Sequence, residues 1–143
     1  MHISAVPAAL SLEVLPERLS VCRLAADADM PEWAAHAGSF CSVTRTADEL
    51  SVICATARVP ADGSPAAHAP ALTAREDGWR ALKLVGPFAF TEVGVLLRVA
   101  APLAAAGVSM LCVATFETDY VLVSEARLTT ALVALRAAGH AVI

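Results

Sequence analysis

The chain has 143 residues, of which 57% are apolar, a mean hydropathy of +0.64 and a net charge of −4 at pH 7. This length suffices for one domain or for two small modules that share a core. The basic residues are scattered and the balance is acidic, which argues against a nucleic-acid partner. Pro102 and Gly107 interrupt the most apolar stretch, 93–116, so we predict no membrane span. The N-terminus lacks a basic signal-peptide region, and we predict a cytoplasmic protein.

The first half of the sequence predicts short strands and one short helix. Apolar residues alternate over 10–15 and over 19–24, which indicates two strands joined at Pro16. Pro31 favours the first turn of a short helix over 30–36.

A hairpin and a long loop follow in the predicted order. Residues 39–45 and 50–55 alternate around a polar turn, as hairpin strands do. Residues 59–78 are rich in Pro, Ala, Gly and Ser and have no periodicity, so we predict a loop or linker. The predicted division of the chain is therefore a first module over 1–58, a linker over 59–78 and a second module over 79–143.

The second half predicts a complete β-α-β-β-α-β unit, the ferredoxin-like plan of an α+β protein. Thr91 and Gly107 are the predicted N-cap and C-cap of its first helix, and Pro102 is predicted to kink or break that helix. In chain order the predicted elements are a strand at 79–85, a helix at 92–106, strands at 108–115 and 120–124, a helix at 125–138 and a strand at 140–143.

The two predicted hairpins match each other at an offset of 70 residues, which aligns Val43 with Val113 and Glu49 with Asp119. The first copy then lacks most of its first helix. We interpret the pattern as an internal duplication.

The cysteines and histidines predict no catalytic, metal or cofactor site. No two cysteines have the Cys-x-x-Cys spacing, and no histidine stands near two of them. Cys22, Cys41 and Cys112 lie in apolar alternating runs, so we expect buried, reduced thiols. The histidines are isolated and receive no chemical role: His2, His36, His68 and His140.

Five segments carry a resemblance to a known family: Ser42–Val52, Gly78–Pro87, Gly94–Leu96, Ala101–Ser109 and Thr115–Val123. In order and spacing they resemble the small paired-ACT-domain proteins, and with them the ACT modules of CASTOR-type arginine sensors and of aspartate kinase regulatory regions. The resemblance covers about residues 10–142. The long loop 59–77, Cys112 and Glu117 depart from the pattern.

The resemblance implies two ACT-like modules side by side, the first with a degenerate helix, in a non-catalytic regulatory protein. A free amino acid is expected to bind at the seam between the modules. The positions that the family uses for its ligand correspond in this chain to Ser42, Val43, Thr91, Glu92, Val93, Gly94, Thr115, Phe116, Thr118 and Asp119.

The residue types suit an amino-acid ligand. Gly94 lies where backbone N–H groups at a helix start can bind a carboxylate. Asp119 can bind an ammonium or a guanidinium group, although a hairpin aspartate also commonly bonds its own backbone. Glu92 either faces the ligand, which favours a basic amino acid, or is an ordinary first-turn acid.

Two other functions remain open from the residues alone. The same fold can be a protein–protein interaction module, for instance a homodimerisation module, that binds no small molecule. An enzyme on this scaffold needs a nucleophile with a base, or a metal set, and the sequence offers neither.

Overall fold

A computed structural model of the chain describes residues 9–35, 38–61 and 71–143. The predictions for His2, for His36, for the end of the first helix and for residues 62–70 of the loop fall outside these ranges. None of the helices in the described ranges has the length and apolarity that a membrane crossing requires. In chain order the elements are β1 (Ser11–Leu24), α1 (Glu32–Ala35), β2 (Cys41–Arg45), β3 (Leu50–Ala55), β4 (Leu72–Leu84), α2 (Val95–Ala105), β5 (Met110–Ala114), β6 (Asp119–Ser124), α3 (Leu128–Ala137) and β7 (Ala141–Val142).

The chain divides into two compact units. One, which we call the discontinuous unit, consists of the described residues up to Leu15 together with 80–143. The other, the continuous unit, consists of the described residues between Pro16 and Trp79. The observed division therefore differs from the predicted modules, because the first residues of the chain group with its C-terminal half.

The discontinuous unit is a mixed sheet with two helices. Its strand order is β7-β1-β4-β6-β5, with β7 parallel to the start of β1 and β5 antiparallel to β6. Helices α2 and α3 pack against each other. Their inward side chains join strand residues in one core: Leu10, Leu12, Leu82, Leu84, Val95, Val99, Leu103, Val108, Val121, Val123, Ala131 and Leu135. The predicted element order of the second half is confirmed.

The continuous unit has the strand order β2-β3-β1-β4 and a smaller core. In the described residues its only α-helix is α1, of which Glu32–Ala35 are described. The core side chains are Cys22, Leu24, Ala34, Leu50, Val52, Cys54 and Val59, and Trp33 packs against them.

Two predictions about the strands are wrong. The chain from Ser11 to Leu24 is one strand and not two, although it contains Pro16. Neither the pairing of Ser11 and Leu12 with β7 nor that of Leu19–Leu24 with β3 includes Pro16, so its missing N–H interrupts neither of these two. The predicted loop 59–78 also ends early, because β4 begins at Leu72.

The hairpins of the two units are related by an offset of 69 residues, as from Thr46 to Thr115, and not by the predicted 70. Each turn is closed by the same 2.9 Å backbone bond, from the threonine N–H to the carbonyl three residues later. The counterpart of Asp119 is therefore Leu50 and not Glu49, and a one-residue change of register moves a side chain to the other face of a strand.

A polar pair recurs at matching places in the two units. Ser20 lies four residues before the end of β1, and its hydroxyl is 2.8 Å from Thr56 Oγ1 at the start of a 3-10 helix. Arg80 lies four residues before the end of β4, and its Nη1 is 3.8 Å from Glu125 Oε1, again at the start of a 3-10 helix. This correspondence supports the duplication.

His140 joins three segments of the discontinuous unit. It is 5% exposed, and its Nδ1 accepts a 3.0 Å hydrogen bond from the Leu10 N–H. Its Nε2 is 2.9 Å from the Arg98 carbonyl. Because Pro102 has no N–H, that carbonyl lacks its usual helical partner, and His140 donates to it instead. Helix α2 runs through Pro102 without a break, so the predicted break is not observed. The sequence analysis assigned His140 no role and missed its structural role of bonding these two backbone groups.

Candidate functional site

The candidate site lies in the discontinuous unit, where the segment between β4 and α2 meets the turn between β5 and β6. The Phe88 N–H donates a 2.8 Å hydrogen bond to the Glu117 carbonyl. The Thr118 hydroxyl donates a 2.6 Å hydrogen bond to the Leu84 carbonyl. These two bonds hold the two segments side by side.

The first segment ends at the start of α2, where Gly94 is the N-cap with a φ of 81°. The prediction of Thr91 as the N-cap is wrong. Thr91 lies in a turn that precedes the helix, in which the Glu92 N–H donates a 3.0 Å hydrogen bond to the Ala89 carbonyl. Gly94 has no side chain that can cap the helix, so the N–H groups of the first turn stay available to an acceptor.

Glu92 belongs to the same turn and lines the site. Its Oε1 accepts a 3.1 Å hydrogen bond from the Ala89 N–H. This single bond orients the carboxylate and leaves it further acceptor capacity, since an ionised carboxylate can accept about four hydrogen bonds.

The turn between β5 and β6 is held by its two threonines. Thr115 Oγ1 donates to the Thr118 carbonyl at 2.9 Å, and Thr118 is 8% exposed. Both hydroxyl protons are thus engaged within the protein. Either hydroxyl can offer a ligand a lone pair, and neither is a free donor.

Asp119 begins β6 opposite Ala114 and is half-buried. Within the described part of the chain its carboxylate forms no hydrogen bond and no ion pair. Its charge acts on Cys112, whose pKa is raised by partial desolvation of the thiol and, to a smaller degree, by the negative charge of Asp119. An unpaired, half-buried carboxylate is suited to bind a cation.

These segments form the walls of a cavity of about 360 Å³ that is open to solvent. Two carboxylates line it, from Glu92 and Asp119, and among the described residues no Lys, Arg or His side chain does. The described residues of the lining are Phe88, Ala89, Phe90, Glu92, Gly94, Val95, Leu96, Leu97, Ala114, Thr115, Phe116, Thr118 and Asp119.

The residues predicted for the ligand site fall into three groups. The cavity brings together six of them: Glu92, Gly94, Thr115, Phe116, Thr118 and Asp119. Thr91 and Val93 are exposed neighbours in sequence that do not line it. Ser42 and Val43 lie on β2 of the continuous unit.

Sequence reasoning named Phe116 but missed Phe90 and the contact between the two rings. The rings of Phe90 and Phe116 meet edge to face with centroids 5.1 Å apart, although the residues are 76% and 80% exposed. Two phenylalanines 26 positions apart give no local signal that their rings meet. Val93 and Leu97, 80% and 67% exposed, extend the apolar surface beside them.

The thiols are not part of the site. Cys22 and Cys54 are buried and Cys41 is half-buried, whereas the prediction of a buried Cys112 is wrong because it is exposed on β5. Burial raises the pKa of Cys54 to about 12, which suppresses the reactive thiolate. No group of three or more His, Cys, Asp or Glu side chains in the described ranges is placed to hold a metal ion.

Comparison with known families supports this account of the fold. A family model described as an ACT domain matches residues 74–137. A second model, described as the N-terminal domain of another family, matches residues 17–62. No curated protein sequence matches the chain.

Solved structures extend the similarity to the whole chain. Protein Atu0741 from Agobacterium tumefaciens is 36% identical over 96% of this chain and 94% of its own, with a TM-score of 0.82. The regulatory subunit of aspartate kinase from Thermus flavus is 13% identical over 94% of this chain and 99% of its own, with a TM-score of 0.59. Aspartate kinase from Clostridium acetobutylicum, 10% identical, matches 96% of this chain with 36% of its own and a TM-score of 0.63. At such identities the two kinase structures show the fold alone.

Proposed function

We propose that this chain, of which residues 74–137 match an ACT-domain family model, is a non-catalytic ACT-domain sensor that binds a free amino acid in the cavity of its discontinuous unit. Regulatory subunits of aspartate kinase share this fold, and the broader role in the proposal is the regulatory sensing of a small molecule. The amino-acid ligand is our proposal.

The observation that carries the proposal is that an unpaired carboxylate and an uncapped helix start line one small cavity. Asp119 offers an acceptor for an ammonium group, and the first-turn N–H groups after Gly94 offer donors for a carboxylate. A free amino acid carries both groups on one carbon atom. A cavity of about 360 Å³ lies at the small end of the range for ligand sites, which suits a ligand of that size.

The proposal assigns roles to six of the ten predicted residues. Asp119 binds the ammonium group, and Gly94 lets the ligand carboxylate approach the backbone. Glu92, Thr115, Phe116 and Thr118 form the surrounding wall. Contributions from Thr91, Val93, Ser42 and Val43 stay predictions.

A thermal-shift screen of the twenty amino acids, followed by calorimetric titration of the best one, tests the proposal. A ligand at a hundred times its Kd should stabilise the protein by about 2.7 kcal/mol. Asp119→Asn should weaken binding about tenfold or more, because it removes a charge-assisted hydrogen bond of about 1.5–3 kcal/mol.

Asp48→Asn is the matched control, since it makes the same chemical change in the corresponding turn of the continuous unit, where Asp48 is exposed. This variant should bind like the wild type. The proposal fails if no amino acid at millimolar concentration raises the melting temperature, or if Asp119→Asn and Asp48→Asn bind equally well.

A second candidate function is a protein-interaction module, favoured by the exposed apolar side chains of Phe90, Val93, Leu97 and Phe116. Apolar side chains grouped on a surface often mark a contact with another protein. Light scattering during the same titrations separates the two candidates. An interaction module associates at a given protein concentration whether or not an amino acid is present.

A further inference from the structure

Three thiols share the core of the continuous unit: those of Cys22, Cys41 and Cys54. We propose that Cys41 and Cys54 form a reversible disulfide when a peroxide or a small-molecule disulfide is present, and that this bond replaces the hydrogen bond between Cys41 and α1. The inference concerns the continuous unit and is independent of the ligand of the cavity.

The first argument is the register of the β2–β3 hairpin, in which Cys41 and Cys54 are direct partners. At its turn the Thr46 N–H donates to the Glu49 carbonyl, so Thr46 and Glu49 form a hydrogen-bonded pair. The two kinds of pair alternate along an antiparallel ladder, and Cys41 with Cys54, five pairs from the turn, is therefore non-hydrogen-bonded. Such pairs have Cα atoms about 4.5 Å apart, within the range of about 4.4–6.8 Å that disulfides span.

The other cysteines are less well placed to pair with Cys54. Its partner on β1 is Ser20, so Cys22, two residues further along that strand, is only a diagonal neighbour. Diagonal neighbours stand about 7–8 Å apart, which exceeds the usual span of a disulfide. Cys112 lies on β5 of the discontinuous unit. The geometry thus selects one pair among the four cysteines of the chain.

Cys41 is the thiol that an oxidant reaches first. It is half-buried on β2, an edge strand that pairs with β3 alone in the described residues, whereas Cys54 is 2% exposed. With a small disulfide, the Cys41 thiolate attacks one sulfur and releases one thiol. The Cys54 thiolate then attacks the Cys41 sulfur and releases the second thiol, so the oxidant takes up two electrons. With a peroxide, Cys41 becomes a sulfenic acid, which condenses with Cys54 and loses water.

The rate of this chemistry depends on pH. Burial raises the pKa of the Cys41 thiol, and it raises the pKa of Cys54 to about 12. Only the thiolates react, and near neutral pH they are a small fraction of both groups. The disulfide therefore forms slowly near pH 7 and faster as the pH rises.

Oxidation also changes how α1 is held. In the reduced protein the Cys41 thiol donates a 3.1 Å hydrogen bond to the carbonyl of Ala34 in α1. A disulfide sulfur carries no proton, so the oxidised protein lacks this bond. The disulfide links β2 to β3 and at the same time loosens the contact between β2 and α1.

The test exposes the full chain to millimolar oxidised glutathione or hydrogen peroxide, alkylates the remaining thiols and maps tryptic peptides without reduction. Trypsin cleaves after Arg23 and Arg45, so Cys22, Cys41 and Cys54 fall on the separate peptides 19–23, 24–45 and 46–58. We expect a cross-link between 24–45 and 46–58 that dithiothreitol reverses. It should form about tenfold faster at about pH 8.5 than at about pH 7.

Three variants and one exchange measurement complete the test. Cys41→Ser and Cys54→Ser should each abolish the cross-link, and Cys22→Ser, a change in the same core, should keep it. Amide hydrogen exchange of residues 32–35 should be faster in the oxidised wild type than in the reduced one. The inference is overturned if no cross-link forms, if Cys22 takes part in the main one, or if oxidation leaves the exchange of 32–35 unchanged. The mapping uses the wild-type chain and so does not depend on the folding of any variant.

Discussion

Gly94 starts α2 with a φ of 81°, in the left-handed region that residues with a side chain rarely adopt. A Cβ atom at this position would meet no other atom within 4 Å. The requirement for glycine is therefore a matter of backbone conformation and not of space. The same conformation turns the chain from Glu92 into the helix, so that the carboxylate and the helix start line one cavity.

Gly94→Ala should lower the free energy of unfolding by about 1–2 kcal/mol, the cost of a left-handed conformation for an L-residue. Gly94→Asn is the matched comparison and should cost less, because asparagine adopts this region more readily. Urea unfolding measures both changes. Equal stability of Gly94→Ala and the wild type would mean that the φ at this position is free to change.

At this scale the sequence predicted a useful part of the site. Periodicity and helix signals locate the element ends next to Glu92, Gly94 and Asp119, and the family resemblance grouped the three residues in one site. The hydrogen-bond partners of the threonine hydroxyls could not be predicted from local sequence, because the Thr118 hydroxyl donates to the carbonyl of Leu84, 34 residues away.

Helix α2 and strand β7 depend on each other through His140. The helix leaves the Arg98 carbonyl without its i+4 partner at Pro102, and His140 just before β7 fills that position at 2.9 Å. Nδ1 of the same ring accepts a 3.0 Å hydrogen bond from the N–H of Leu10, which lies next to the start of β1. One side chain thereby satisfies two backbone groups from different elements.

A double-mutant cycle tests this dependence. His140→Phe should destabilise the protein by about 2–4 kcal/mol, because it leaves a buried N–H and a carbonyl unpaired. In a Pro102→Ala background the cost of His140→Phe should be about 1 kcal/mol smaller, since the N–H of residue 102 can then bond the Arg98 carbonyl. Chemical unfolding of the four proteins gives the coupling energy. Strictly additive effects would contradict the shared role.

The order of the elements could be predicted from the sequence, but the pairing and register of the strands could be predicted less well. Period-3.6 and period-2 patterns located α2, α3, β5 and β6. The hairpin offset was misjudged by one residue, because apolar strands resemble each other at several alignments and only hydrogen bonding sets the register.

In the whole molecule, the discontinuous unit draws part of its core from the other end of the chain. Leu10 and Leu12 pack with the side chains of α2 and α3, and β7 pairs with Ser11 and Leu12. The fragment 79–143, the module that the sequence predicts, contains α2, α3 and β7 but lacks Leu10, Ser11 and Leu12.

Fragment 79–143 should therefore fail to unfold cooperatively, because it loses two buried leucines and the strand that pairs with β7. Losing a buried leucine costs about 2–5 kcal/mol, a large share of the stability of a small domain. The matched control is a rearranged chain in which 80–143 is followed by a flexible linker and 9–15, and it should regain helical circular dichroism and a cooperative transition. A fragment 79–143 as stable as this control would show that Leu10 and Leu12 are dispensable.

The sequence by itself determined the α+β class, the order of strands and helices in the second half, the family resemblance and the turns that carry Glu92, Gly94 and Asp119. The class, the element order and the turns follow from patterns within about twenty neighbouring residues. The resemblance follows from the order and spacing of five segments along the chain. The tertiary structure alone decided the division into units, the unbroken β1, the partners of His140, and the cavity that two carboxylates share with two phenylalanine rings. These features depend on contacts between residues far apart in the chain, where burial and strand register select among arrangements that local patterns allow equally.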